Sequence, residues 1–302
     1  MPIYQSTGNH WRRAAKTVVI FIIGLAAIAL LATVAAPGGP AGRARRMNAR
    51  AALEDDDASE STIWQPAPGL KWQIQLENAV DDTSVNAEVY DIDLFDNTAD
   101  TIRSIRQQGA KVICYFSAGT YEDWRSDAEQ FAEADMGNEL DGWPGERWLN
   151  IRSASVHRII ESRLDMAHRK GCDGVDPDNI DAYNNENGLG LTEADAVDFI
   201  KYLAAQSHAN GGDIIGSVIE NVQWSVNEQC AQYDECDTYA AFTRVNKPVF
   251  HIEYSDELSN SDYKIKARMT NSEKSSVCDA PGTEKFSTVI KDLDLSAWVE
   301  YC

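Results

Sequence analysis

Residues 171–181, Gly-Cys-Asp-Gly-Val-Asp-Pro-Asp-Asn-Ile-Asp, set four aspartates and an asparagine around one short apolar stretch. Desolvating a carboxylate is costly unless it is paired, so acids on a buried strand need a reason. Strand alternation puts Asp176 and Asp178 on one face and Val175 and Pro177 on the other. Carboxylates gathered at the carboxyl end of a strand can supply the acid and the nucleophile or base that sugar cleavage requires. A cluster of turn residues satisfying local backbone donors is the plainer alternative.

Acids recur at the ends of the other strand-like segments. Asp93 and Asp96, Glu220, Glu228, Glu253 and Asp292 all fall there, with Tyr115 and Tyr254 beside them. Each could cap a following helix; together they predict a mouth of negative potential that holds hydroxyl-rich or cationic ligands. His251 shares a strand face with Glu253, and binding and packing roles are both open to it. The aromatics Trp72, Tyr90, Tyr115, Tyr121, Trp124, Trp143, Trp148, Trp224 and Tyr254 include several near loop mouths, where they could stack on sugar rings, with burial as core the default for each singly. No Gly-x-Ser-x-Gly elbow, Gly-x-Gly-x-x-Gly turn or His-Glu-x-x-His occurs, so no cofactor or metal is expected.

These residues must be positioned by alternating strands and helices. Strand-like segments are 72–77, 89–95, 111–117, 174–178, 213–220, 223–230, 249–254 and 288–292, with 148–151 as a further short candidate. Between them, Thr98 caps a stretch carrying Ile102 and Ile105, stopped by Gly109. Val156, Ile159, Ile160, Leu164 and Ala167 recur at helical spacing ahead of Gly171. Thr192 and Asp195 form a capping box before a third helix, closed by Gly211-Gly212. Eight such units predict an α/β chain folded as a (β/α)8 TIM-type barrel over residues 64–302.

The N-terminal part reads differently. Residues 17–36 are an uncharged apolar run, long enough to be a transmembrane signal anchor behind a short cytoplasmic tail, residues 1–16. Residues 37–63, rich in Pro, Gly, Ala and charge, read as a disordered stalk. The expected location is the cell membrane, single-pass, with the body outside and the basic string Arg43–Arg46 as a point of release. Six of the 27 Lys/Arg lie in the first 46 residues, which hold no acid; the other 256 residues carry 21 basic and 48 acidic side chains, a net charge of −27. That balance excludes nucleic acid as a partner and suits a cationic ligand or simple solubility. Six cysteines fit an oxidising compartment. Cys230–Cys236 and Cys278–Cys302 are the expected disulfides, with Cys114 and Cys172 as buried free thiols.

The stretches 72–76, 89–93, 112–119, 148–151, 174–181, 227–230 and 249–254 resemble glycoside hydrolase family 114, the endo-α-1,4-polygalactosaminidases, from about Trp64 to Asp256. The resemblance implies a barrel glycosidase acting on α-1,4-linked galactosamine polymers without a metal, with Asp178 and Glu228 as the catalytic carboxylates. Asp93, Tyr115, Asp176, Asn179, Asp181, Glu253 and Tyr254 are the accompanying substrate-binding candidates. Two departures stand out: the lysine usual after strand 5 is absent from a shortened segment at 216–224, and Asp176 occupies a position where glutamate is common. The readings left open are a membrane-tethered endo-glycosidase, working as a monomer on cationic galactosamine-containing polysaccharide, a non-catalytic polysaccharide-binding barrel, and an α-glycosidase for a neutral galactose-type glycan.

Overall fold

In the computed structural model, which describes residues 63–207, 219–254 and 271–302 together with the backbone of 20–24, helices begin and end where local chemistry dictates. Helix α1 (Ala99–Gln107) starts at Thr98, whose hydroxyl accepts the Thr101 N–H at 3.1 Å, and it buries Ile102 and Ile105. Helix α2 (Ala154–Lys170) is capped by Ser153 and stops at Gly171, which takes the left-handed conformation at φ 88° that glycine adopts without steric penalty. Helix α3 (Glu193–Ser207) opens on the reciprocal Thr192–Asp195 box, with the Thr192 N–H donating to Asp195 Oδ2 at 2.7 Å. The glycine pair expected to close α3 lies outside the described residues.

Seven of the eight expected strands are present: β2 (Trp72–Gln75), β3 (Val89–Asp93), β4 (Lys111–Ser117), β8 (Gly174–Asp178), β9 (Trp224–Glu228), β10 (Val249–Tyr254) and β11 (Ser287–Lys291). The eighth, 213–220, falls mostly outside the described residues. Strands β2, β3, β4 and β8 run parallel in that order, and so do β9, β10 and β11. Strand β1 (Ile20–Gly24) lies between β8 and β9, antiparallel to both, with Ile23 opposite Val175 and Ile20 opposite Val226. These five residues come from the apolar run read as a membrane helix, and they are strand. Ile-Phe-Ile-Ile has the β-branched and aromatic character that suits a strand slot. Among the described residues no helix is long and apolar enough to cross a membrane. A short β12 (Glu300–Tyr301) pairs antiparallel with β11.

The sheet curls until its two ends meet through side chains. Trp72 Nε1 donates to the Ser287 carbonyl at 2.7 Å, and Gln73 Nε2 to the Ala297 carbonyl at 2.9 Å. No strand ladder joins β2 to β11 among the described residues. Alternation sorts the side chains into two layers. Trp72, Ile74, Val89, Ile113, Trp224, Val226, Phe250, Ile252 and Val289 form one cluster on the concave face. Tyr90, Ile92, Val112, Cys114, Phe116 and Val175 pack outward with the helices.

Between β4 and α2 the chain makes a small second sheet that periodicity did not predict in full: β5 (Thr120–Glu122), β6 (Met136–Glu139) and β7 (Glu146–Leu149), in the order β5-β7-β6. Its last strand overlaps the short candidate at 148–151.

Three disulfides are formed. Cys230–Cys236 and Cys278–Cys302 join as expected, but Cys114 and Cys172 are also bridged rather than free. The two are 58 residues apart in sequence, yet β4 and β8 are neighbours, and the Asp173 N–H bonds the Val112 carbonyl at 2.7 Å. That pairing leaves the Cα atoms of Cys114 and Cys172 6.0 Å apart, within bridging range.

Candidate active site

On the concave face, alternation carries each strand from apolar to polar as it runs toward its carboxyl end. The series are Val89-Asp91-Asp93 on β3, Ile113-Tyr115-Ser117 on β4, Gly174-Asp176-Asp178 on β8, Trp224-Val226-Glu228 on β9 and Phe250-Ile252-Tyr254 on β10. The apolar starts fill the bottom of the bowl. The polar ends converge at its mouth.

Asp178 and Glu228 are built alike. Each is the last residue of its strand, and each is followed by a residue at positive φ: Asn179 at 60° and Gln229 at 63°. Each accepts a tyrosine hydroxyl from a neighbouring strand at 2.8 Å, Tyr115 to Asp178 Oδ2 and Tyr254 to Glu228 Oε1. The Asn179 N–H adds a second bond to Asp178 at 2.6 Å. Backbone contacts hold the Asp178 turn from the other side, where the Ala118 and Gly119 N–H groups donate to the Asp178 carbonyl at 2.9 and 3.1 Å. A side chain at Gly119 would put its Cβ 1.7 Å from the Asn179 carbonyl oxygen, so Ser-Ala-Gly at 117–119 and Asp-Asn at 178–179 work as one unit.

Burial pushes the Asp178 carboxyl above its usual range, while the Tyr115 and Asn179 bonds pull it back. Both tyrosines are pushed well above the ordinary phenol value, first by burial and then by the adjacent carboxylate. Tyr254 senses the charge of both Glu228 and Asp178, and so does Asp176, which places the two carboxylates in one pocket.

Beneath them lies a second acidic pair. Asp91 and Asp176 are fully buried, and none of their four carboxylate oxygens meets a donor. Desolvation pushes Asp91 up to about 8, and desolvation with the neighbouring Asp91 and Asp178 charges pushes Asp176 well above the carboxylate range.

Asp93 belongs to an ion network reaching in from the small sheet. Its Oδ1 accepts the Phe95 and Asp96 N–H groups, and its Oδ2 lies 2.7 Å from Arg125 Nη2. Arg125 also binds Glu122 at 2.8 Å. Arg163 makes a forked pair with Asp127 at 2.8 and 2.9 Å and donates to the Ser117 carbonyl at 2.6 Å. Glu146, opposite Glu122 across β5 and β7, accepts the Thr120 hydroxyl at 2.8 Å and is pushed up to about 7 by burial. Sequence reasoning named none of Glu122, Arg125, Arg163 and Glu146. One signal was present: Arg163 interrupts the apolar stripe of α2 between Ile160 and Leu164.

Three expected binding residues have their side chains bonded within the protein. Glu253 is on the opposite strand face from Tyr254, where its Oε1 takes the Ala231 N–H at 2.7 Å and lies 2.9 Å from His251 Nε2. It pins the loop after Glu228 instead of facing a ligand. Asp181 is buried and holds the turn behind β8, accepting Asn185 Nδ2 at 3.1 Å. Asn179 turns its amide toward Ser117 Oγ at 3.0 Å. Asp93, Tyr115, Asp176 and Tyr254 remain grouped with Asp178 and Glu228. Among the described residues one cluster of metal-ligand type is close enough to hold an ion, Cys230, Cys236 and His251, but its two sulfurs are bonded to each other.

The chain is similar to three known proteins. Ega3 of Aspergillus fumigatus, whose crystal structure was determined in complex with galactosamine, is 57% identical, covers 79% of this chain and 97% of its own, and superposes with a TM-score of 0.74. The glycoside hydrolase domain of PelA from Pseudomonas aeruginosa shares the fold at a TM-score of 0.57 and 10% identity, over 76% of this chain and 98% of that one. An uncharacterized protein of Deinococcus radiodurans is 25% identical over 225 residues, 62% of this chain and 72% of that protein. The model of glycoside-hydrolase family GH114 matches residues 54–302, and the chain therefore belongs to that family and is a glycoside hydrolase.

Proposed function

We propose that the chain is an endo-acting glycosidase that cleaves α-1,4-linked galactosamine-containing polysaccharide outside the cell, on a (β/α)8 barrel. The observation that carries the reading is the pair of tyrosine-held carboxylates, Asp178 and Glu228, at two strand ends of one pocket. The likeness to Ega3, solved with galactosamine, supports the sugar. Three disulfides support an oxidising location.

Two donors face the Asp178 carboxylate, which supports assigning it as the nucleophile. Its carboxylate attacks the anomeric carbon as Glu228 gives a proton to the departing glycosidic oxygen. Water, deprotonated by Glu228, then releases the sugar and restores Asp178. Asp178→Asn and Glu228→Gln are each expected to lower hydrolysis of defined galactosamine oligosaccharides by at least about a hundredfold with the fold intact. A variant that kept near-normal turnover would remove its residue from the mechanism. De-N-acetylated chains should be preferred over acetylated ones, and added salt should weaken the preference, because exposed charges are screened beyond about 8 Å at physiological ionic strength.

A further inference from the structure

Of the seven tryptophans among the described residues, Trp72 and Trp224 are fully buried, Trp148 is 3% exposed, and Trp64 and Trp298 are partly buried. Trp124 and Trp143 break the pattern at 54% and 50% exposure. Both belong to the small sheet, and they flank one backbone hydrogen bond. The Asp123 N–H donates to the Gly145 carbonyl at 3.1 Å; Trp124 follows Asp123, and Trp143 stands two residues before Gly145. The support is stiff. The Glu146 N–H bonds the Trp143 carbonyl at 3.1 Å, and Gly145 sits at φ 94° where an added Cβ would lie 2.9 Å from Asp123 Oδ1.

The same segment is tied to the mouth. Arg125, next to Trp124, reaches Asp93 at the end of β3 at 2.7 Å. Glu146, three residues after Trp143, is bonded through Thr120 to Ser117 at the end of β4. Two exposed indoles are thus carried by loops tied to the ends of β3 and β4, and β4 is the strand whose Tyr115 holds Asp178.

We propose that Trp124 and Trp143 form an aromatic platform that binds the polysaccharide chain at sugar units beyond the point of cleavage. The proposal rests on the glycosidase reading above. An indole face receives the C–H face of a pyranose ring, and it gives such a patch a reason to remain in water. Asp123 and Asp141, one and two residues before the two tryptophans in sequence, are exposed and carry the charge that attracts a sugar's ammonium group. The platform therefore fits an amino-sugar polymer better than a neutral one.

The test uses the full chain carrying Asp178→Asn, which binds without cutting. It is titrated by calorimetry with de-N-acetylated α-1,4-galactosamine oligosaccharides of increasing length, and self-association is followed in parallel. Trp124→Ala and Trp143→Ala should each weaken binding of long chains by about threefold to tenfold, with the loss shrinking as the chain shortens. Trp124→Tyr should restore most of the affinity. Unchanged affinity for long chains overturns the platform, as does an equal loss at every chain length, which would mark a purely structural effect. Unchanged polymer binding with altered self-association also overturns it, in favour of a contact between copies. Polymer hydrolysis by the wild-type chain alongside unchanged binding by the tryptophan variants defeats the platform and leaves the glycosidase reading standing. Absence of both hydrolysis and polymer binding in the wild-type chain defeats both.

Discussion

Asp178 and Glu228 share a local design but are supported by different means. Asp178 stands against the small sheet, among the paired charges of Asp93, Arg125, Glu122, Arg163 and Asp127 and above the Asp91–Asp176 pair. Behind Glu228 the loop is tied by the Cys230–Cys236 bond and by Glu253, which takes the Ala231 N–H and meets His251. One carboxylate is held by electrostatics and the other by a covalent clip. The lesson is that matching a strand-end geometry does not match the environment, and the environment sets how each group responds to mutation and to pH.

The comparison breaks most visibly at Arg163. Removing one partner of a buried ion pair strands the other, so Arg163→Met is expected to cost about 3–5 kcal/mol, read by urea denaturation. The Cys230→Ser/Cys236→Ser double variant opens only a short loop and should cost about 2 kcal/mol by the chain-entropy relation. Equal losses would show that the ionic side is no more critical than the clipped one.

The tyrosines sharpen the contrast. Each of Tyr115→Phe and Tyr254→Phe deletes one bond to a charged group, worth about 1.5–3 kcal/mol, so kcat should fall by about tenfold or more. Their pH signatures should differ. The Tyr115 bond lowers the Asp178 pKa, so deleting it raises that pKa, and activity that needs ionised Asp178 should fade at a higher pH on the acid limb. Under the proposed roles Tyr254→Phe acts instead on the proton donor, so its effect belongs on the alkaline limb. Identical profiles for the two variants would undo the assignment of roles.

The legible parts were those with short-range rules. Alternation found seven strands within a residue or two, and Thr98, Gly171 and Thr192–Asp195 marked helix ends. Position at a strand end put Asp178 and Glu228 among the candidate acids, and the family resemblance singled them out. Glu253 was misplaced although the rule to exclude it was at hand, since it alternates with Tyr254 and cannot share its face. The rest depended on which strands become neighbours. Cys114 meets Cys172, and Arg163 meets Asp127 and Ser117, only because β4 and β8 pair across an intervening sheet and helix. No local period encodes that adjacency.

The last test concerns the buried Asp91–Asp176 pair under Asp178; beneath Glu228 the same strand face carries Val226 and Trp224. Asp91 titrates near 3.8 when exposed and near 8 in the folded chain, so between those values the folded state holds a proton that the unfolded state has released. Stability on this account is fully present below the lower value and falls as pH rises through the window, with each pH unit worth about 1.4 kcal/mol at most. Asp91→Asn keeps a neutral, hydrogen-bonding group at the position and removes that proton uptake. Its unfolding free energy should therefore vary less steeply than the wild type between mildly acidic and neutral pH, while the two proteins converge toward acid. The check is a set of urea melts across that range. A wild-type slope that survives Asp91→Asn would mean that Asp91 is ionised in the folded chain and that the two halves of the mouth differ less in charge than their surroundings indicate.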